Sequence, residues 1–176
     1  MGTSLDGYIV DREGKFDWSA PSDEQHRVHN EQARELSAHL LGRRLYETMV
    51  YWDTDDESRG PVEREFAEIW RQTPIFVFSR TLEGMEGRAA LVKGDVAEEV
   101  ARIKQEIDGD ISVGGAGLAS SLIPLGLIDE YRPFVNPVLV SGGTPFLPPL
   151  DERIDLELIE TRTFASGVIY LRLRAT

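Results

Sequence analysis

The stretch that most restricts what this chain can fold into is Ile111 to Leu125, ISVGGAGLASSLIPL. Ile111, Ser112 and Val113 read as the end of a buried strand. Gly114, Gly115, Ala116 and Gly117 leave no large side chain at the turn, and Leu118 to Leu125 reads as a helix stopped by Gly126. A strand, a glycine turn and a helix start form an anion site, because backbone N–H groups face outward and the helix dipole favours negative charge. Glycines let backbone and phosphate approach closely. The segment is neither a GxGxxG with an acidic residue downstream nor a GxxxxGK[ST]. Taken alone it is therefore either a phosphate cradle or a tight turn, and other segments have to decide.

Two of them point to the cradle. His39-Leu40-Leu41 reads as a short buried strand ending at Gly42, and Arg43 and Arg44 then open a helix. Guanidinium groups at such a turn suit a phosphate; the alternative is a pair of solvated surface arginines. Pro74 precedes Ile75-Phe76-Val77-Phe78, an apolar run fitting a strand covered on both faces. It ends in Ser79-Arg80-Thr81, at the carboxyl end, where open α/β sheets place ligands.

The remaining segments complete an α/β pattern. Thr3 to Val10 is strand-like but interrupted at Asp6-Gly7. Its abrupt start at Met1 reads as a truncation, since a central strand normally has residues ahead of it. Asp11 to Pro21 is a loop in which Trp18 either packs as a lid on the core or walls a substrate cleft. Ser22 or Asp23 caps a helix running to about His39, and Tyr51 to Gly60 is an acidic loop. Pro61 to Gln72 is a helix with Val62, Phe66, Ile69 and Trp70 near one face. Ala89 to Val92 is a strand. Asp95 caps a helix to Ile107 with a stripe of Val96, Val100, Ile103 and Ile107, and Glu98 and Arg102 form an i, i+4 pair. Pro133 and Pro137 restrict a strand around Tyr131 to Val138 to an edge or bulged role. Leu156 to Phe164 and Val168 to Arg174 form an antiparallel hairpin. The expected fold is a mostly parallel mixed sheet flanked by helices, closed by an antiparallel C-terminal hairpin. His26, His29 and His39 lack the spacing of a metal pair, so no metal site is expected.

A chain of 176 residues fits a single domain spanning 1–176. The net charge of −12 argues against nucleic acid or an anionic membrane as partner. An anionic cofactor would need a local basic cluster. There is no cysteine, which excludes disulfides, thiol chemistry and cysteine-held metal. No membrane span or signal-peptide pattern is present, so a cytoplasmic location is the default.

Five stretches in order carry a resemblance: SLDGYI at 4–9, LLGRRLYE at 40–47, FVFSRTL at 76–82, ISVGGAGLASSL at 111–122 and PVLVSGGTPFL at 137–147. The chain resembles the dihydrofolate reductase superfamily. Within it, the chain is similar to stand-alone proteins related to the reductase domain of the bifunctional riboflavin-biosynthesis deaminase/reductase. The resemblance implies an NADPH-dependent oxidoreductase acting on a small-molecule substrate, of the 5-amino-6-(5-phosphoribosylamino)uracil type in riboflavin biosynthesis, and a homodimer. It assigns Gly42 and Arg43 to the cofactor phosphates, with Arg44 joining them from the paired-arginine reading above, and Ser79 and Arg80 to the adenosine 2′-phosphate. Gly114, Gly115 and Ala116 match the turn beside the pyrophosphate and nicotinamide, Gly117 and Leu118 follow on the same turn as further cofactor-binding candidates, and branches added at Gly115 are expected to fill the pyrophosphate's space. The spacing W-x-x-P-x-D over Trp18 to Asp23 resembles the segment leading to the acidic substrate-binding residue. That makes Trp18 and Asp23 substrate-binding candidates and leaves Asp23 and Asp6 as candidate proton donors; Asp23 serves equally as a helix cap. The chain departs from the family at Leu45, in place of a phosphate-contacting threonine, and at Gly117, in place of a basic residue. It also lacks the D-x-P-x-L-x-x-R stretch that binds a phosphoribosyl group. A dinucleotide-binding protein without turnover is the alternative on the same fold.

Overall fold

The computed structural model describes residues 1–85 and 87–176. They form two compact units, residues 25–125 and residues 1–24 with 126–176. In chain order the elements are β1 (Gly2–Ser4), β2 (Tyr8–Val10), α1 (Asp23–Arg34), β3 (Leu36–Gly42), α2 (Arg43–Met49), α3 (Pro61–Gln72), β4 (Ile75–Phe78), β5 (Ala90–Val92), α4 (Val96–Glu106), β6 (Asp110–Gly114), α5 (Ala116–Leu122), β7 (Glu130–Tyr131), β8 (Phe134–Asn136), β9 (Thr144–Pro145), β10 (Leu156–Thr163) and β11 (Ile169–Ala175). Short 3-10 turns occupy Asp17–Ser19, Val50–Asp53 and Ile123–Leu125.

The unit of residues 25–125 is built on a parallel sheet in the order β5-β4-β3-β6. The apolar run of β4 is a strand, with Ile75 and Val77 buried. α3 starts at Pro61, where a missing N–H costs nothing, and Glu63 accepts the Gly60 N–H at 2.7 Å. Asp95 caps α4 by accepting the N–H groups of Ala97 and Glu98 at 2.9 and 3.1 Å. Arg102 pairs with Glu99 and Glu106, each at 2.8 Å, rather than with the expected Glu98. α1 stops at Arg34, short of the expected His39, because residues from Leu36 onward pair with β6 and gain ladder hydrogen bonds there. Tertiary pairing overrides the helical pattern.

His39 is a buried core histidine. Its Nδ1 lies 2.6 Å from Ser112 Oγ, its partner across the β3–β6 ladder, and its ring is 5.2 Å from that of Trp70. No group of three or more His, Asp or Glu side chains among the described residues could hold a metal.

The other unit carries a mixed sheet in the order β1-β8-β11-β10, with β7 also on β11. β1 and β8 are parallel and the β10–β11 hairpin is antiparallel. Of the edge or bulged role expected for the prolines, the edge does not hold, while the run is interrupted at Pro133 between β7 and β8. β8 lies inside the sheet, between β1 and β11. Pro133 separates β7 from β8 while its carbonyl still accepts the Leu171 N–H at 3.0 Å, and Pro137 follows the last paired residue. Neither position has to donate, so a proline fits at each. β2 and β9 pair separately, so the interruption at Asp6-Gly7 divides one strand-like run between two sheets. On β10 every residue is exposed, Leu158 by 54%.

Burial, and then the Arg88 charge, lowers the His39 pKa to about 4. Burial likewise lowers His29 to about 3. The unfolded chain binds these protons near pH ~6.5 and the folded chain does not, so stability is full above that value and falls as pH drops towards ~4. His39→Gln should remove one proton's share of this slope, about 1.4 kcal/mol per pH unit, in urea unfolding compared at pH about 7 and about 5. An unchanged slope would place the His39 proton elsewhere.

Candidate cofactor site

The parallel sheet has a switch point. From β3 the chain builds outward on one side through β4 and β5, then returns to the opposite side of β3 as β6. Adjacent loops diverge at such a point, and ligands of open α/β sheets bind at the carboxyl ends there. Here those ends are Gly42 and Gly114. Gly42 is paired with Phe78, and Leu41 with Gly114. The register therefore brings Gly42-Arg43-Arg44, Ser79-Arg80 and Gly114-Gly115 to neighbouring strand ends.

The two glycine turns touch through their backbones. Gly115, at φ +97°, precedes α5, and a Cβ placed on it would lie 3.4 Å from Gly42 N and 3.6 Å from Gly42 Cα. A Cβ on Gly114 would lie 2.5 Å from Leu45 Cδ2 and 2.8 Å from Leu41 Cδ2. A Cβ at Gly115 thus stands in van der Waals contact with the neighbouring turn, and its positive φ disfavours any side chain there. At Gly117 an added Cβ meets nothing within 4 Å. Leu118 is 6% exposed, so its side chain belongs to the core. Neither α2 nor α5 has a side-chain cap. First-turn N–H groups of both are left for an acceptor from outside.

The arginines differ in commitment. Arg43 is loosely paired, its Nε 3.8 Å from Glu47 Oε1. Arg44 and Arg80 are exposed, and neither side chain has an ion-pair or hydrogen-bond partner among the described residues. Ser79 Oγ accepts the N–H groups of Thr81 and Leu82 at 3.3 and 3.2 Å, turning the chain just after β4 and leaving Arg80 at the bend. Sequence reasoning noted Leu45 only as a departure. With Leu41 it packs over Gly114, and the i, i+4 spacing of the two leucines across Gly42 is the signal for it.

Asp6, Trp18 and Asp23 lie in the other unit. The exposed Asp6 carboxylate accepts the Val140 and Ser141 N–H groups at 3.2 and 2.7 Å. A hydrogen bond from Ser4, then those N–H groups, lower its pKa. This is a carboxylate held as an anion to pin residues 140–141, which corrects its reading as a proton donor. Trp18 lies in the Asp17–Ser19 turn, half-buried, with its Nε1 enclosed and without an acceptor among the described residues. Asp23 is exposed and is already the first residue of α1, so the cap position falls to Ser22.

The family model of the RibD C-terminal domain matches residues 1–170. The uncharacterised Bacillus subtilis (strain 168) protein YyaP is 29% identical over 172 residues, 97% of this chain and 90% of its own. A Shewanella sp. PV-4 protein assigned to riboflavin biosynthesis superposes with a TM-score of 0.77 at 23% identity, covering 100% of this chain and 96% of that one. Enterococcus faecalis dihydrofolate reductase, solved with NADP(H), gives 0.68 at 17% identity, with 99% and 93% covered. The fold is thus dihydrofolate reductase-like, with a parallel sheet flanked by helices and antiparallel C-terminal strands.

Gly115→Ala should lower the melting temperature, since residue 115 sits at φ +97°. Gly117→Ala, in the open first turn of α5, should hold or raise it by the helix-propensity gain of up to about 1 kcal/mol. Thermal unfolding of the two variants side by side checks this; equal effects would mean that the positive φ does not restrict residue 115.

Proposed function

The chain belongs to the RibD C-terminal domain family, and on that premise we propose that it is an NADPH-dependent reductase. It transfers a hydride to a C=N or C=O carbon of a small heterocyclic or ribosyl substrate. The observation that carries this reading is the meeting of three strand ends at the switch point, with two uncommitted arginines beside uncapped first-turn N–H groups. NADPH supplies the hydride when bound; the protein's part is to hold and orient it. Arg44 and Arg80 meet phosphate charge, Arg43 helps by leaving its weak pair with Glu47, and the turns at Gly42 and Gly115 admit the diphosphate backbone-first. Asp23 is the candidate partner for a heterocyclic N–H and Trp18 a candidate apolar wall, as the resemblance implies. Without the D-x-P-x-L-x-x-R stretch, a phosphoribosyl group has no counterpart of that binding element, which favours recognition through the ring. A silent dinucleotide binder would share the cradle and lack only turnover; the commitment of Asp6 to backbone N–H groups is what favours it. Oxidation of NADPH followed by absorbance with candidate heterocycles separates the two.

NADPH should bind more tightly than NADH by about tenfold or more. Charge-assisted contacts from Arg80 to the 2′-phosphate contribute about 1.5–3 kcal/mol, and Arg80→Ala should remove most of the difference. Isothermal calorimetry with both dinucleotides is the test, and equal affinities in the wild type would end the assignment.

The protein is also proposed to be a homodimer through β10. This edge strand exposes Leu156, Leu158 and Ile159 by 39, 54 and 37%, and an uncovered apolar edge invites pairing. Light scattering should report twice the 19.7 kDa chain mass, and Leu158→Glu should give the monomer. A monomeric wild type at micromolar concentration would refute the dimer.

A further inference from the structure

The connection from β4 to β5 is unusual for neighbouring parallel strands. Such crossovers normally carry a helix, yet residues 79–89 contain none among those described. The path leaves the carboxyl end of β4 at Ser79 and must return to the amino end of the sheet, where Ala90 pairs with Phe76. With no internal hydrogen-bond ladder among the described residues, side-chain anchors fix it. Met85 packs on the core cluster around Trp70 and Val77. At the returning end, Arg88 makes three bonds: Nη1 to Thr73 O at 2.6 Å, Nη2 to Trp70 O at 2.7 Å and Nε to Asp53 Oδ1 at 3.0 Å. Asp53 Oδ1 also accepts from Trp70 Nε1 at 3.0 Å. The guanidinium lies 5.2 Å from the Trp70 ring centroid, and that ring stands against His39, which meets Ser112. Arg88 thus closes the C-terminal carbonyls of α3, where positive charge is favoured. It also ties the crossover to a buried pillar running under β3 and β6.

We propose that Arg88 is a positioning residue for Arg80: by fixing the returning end of a crossover without a helix, it holds the bend at Ser79-Arg80 in the geometry that selects a 2′-phosphorylated dinucleotide. This rests on the cofactor assignment above. Arg88 faces the α3 carbonyls and Asp53, so it acts through the loop and not by contact with the cofactor. Its planar fork serves three acceptors at once, which a lysine cannot reproduce.

The test uses the full chain and calorimetric Kd values for NADPH and NADH in the wild type, Arg88→Lys and Asp53→Asn, with melting temperatures alongside. In Arg88→Lys the NADPH Kd should rise about tenfold while the NADH Kd moves less than about twofold, because one charge-assisted contact is misplaced. Asp53→Asn keeps the two carbonyl bonds of Arg88 and should shift the ratio in the same direction by a smaller factor, which keeps the test open if Arg88→Lys does not fold. Equal weakening of both dinucleotides, or an unchanged ratio in either folded variant, would make Arg88 a purely structural clamp and overturn the proposal. A wild type that binds neither dinucleotide would instead overturn the cofactor assignment itself, and this proposal with it.

Discussion

The carboxyl edge of the parallel sheet depends on one close approach. Gly115 sits at φ +97°, and a methyl group there would stand in direct van der Waals contact with the Gly42 backbone. The register of β3 against β6 makes the approach unavoidable, because Leu41 pairs with Gly114 and the next residue on each strand turns away from the sheet. Leu41 and Leu45 then fill the space over Gly114. Two helices start side by side at this contact, one from Gly42 and one from Gly115, whose positive φ favours glycine. Neither helix has a side-chain cap.

Charge is arranged around the same edge. The chain carries an excess of acid, −12 overall, and many of its arginines are committed to carboxylates. Glu130 alone binds Arg132, Arg172 and Arg174, and these hydrogen bonds, Arg172 first, lower its pKa to about 2. Arg44 and Arg80 stand apart from that pattern. In a protein with acid to spare, a guanidinium without a carboxylate is available for a ligand, and Arg44 and Arg80 sit at strand ends that meet at the switch point.

Much of this was legible in the sequence because local signals there agree with tertiary structure. Pro61 and Gly60 start α3, Pro74 precedes β4, Asp95 caps α4, and the glycine runs mark the turns at the ends of β3 and β6. Where the reading failed, a distant partner decided. α1 is cut short by β6, which lies more than 70 residues ahead. Pro133 and Pro137 flank an interior strand because their missing donors face no ladder position. Asp6 is claimed by backbone more than 130 residues away, which local pattern cannot report. The same holds for Arg88, whose acceptors lie on α3 and the Val50–Asp53 turn.

The division of the chain also orders its biosynthesis. Residues 25–125 are continuous, and all four strands of their parallel sheet are present once Gly114 has been made. The other unit is discontinuous: β1 pairs with β8, and Asn136 reaches the Thr3 carbonyl across 133 residues of chain. Closing so long a loop carries an entropic cost that local contacts cannot offset. On a ribosome, the glycine turns and the arginine-bearing strand ends can therefore be finished while the first strand still waits for its partner to be translated.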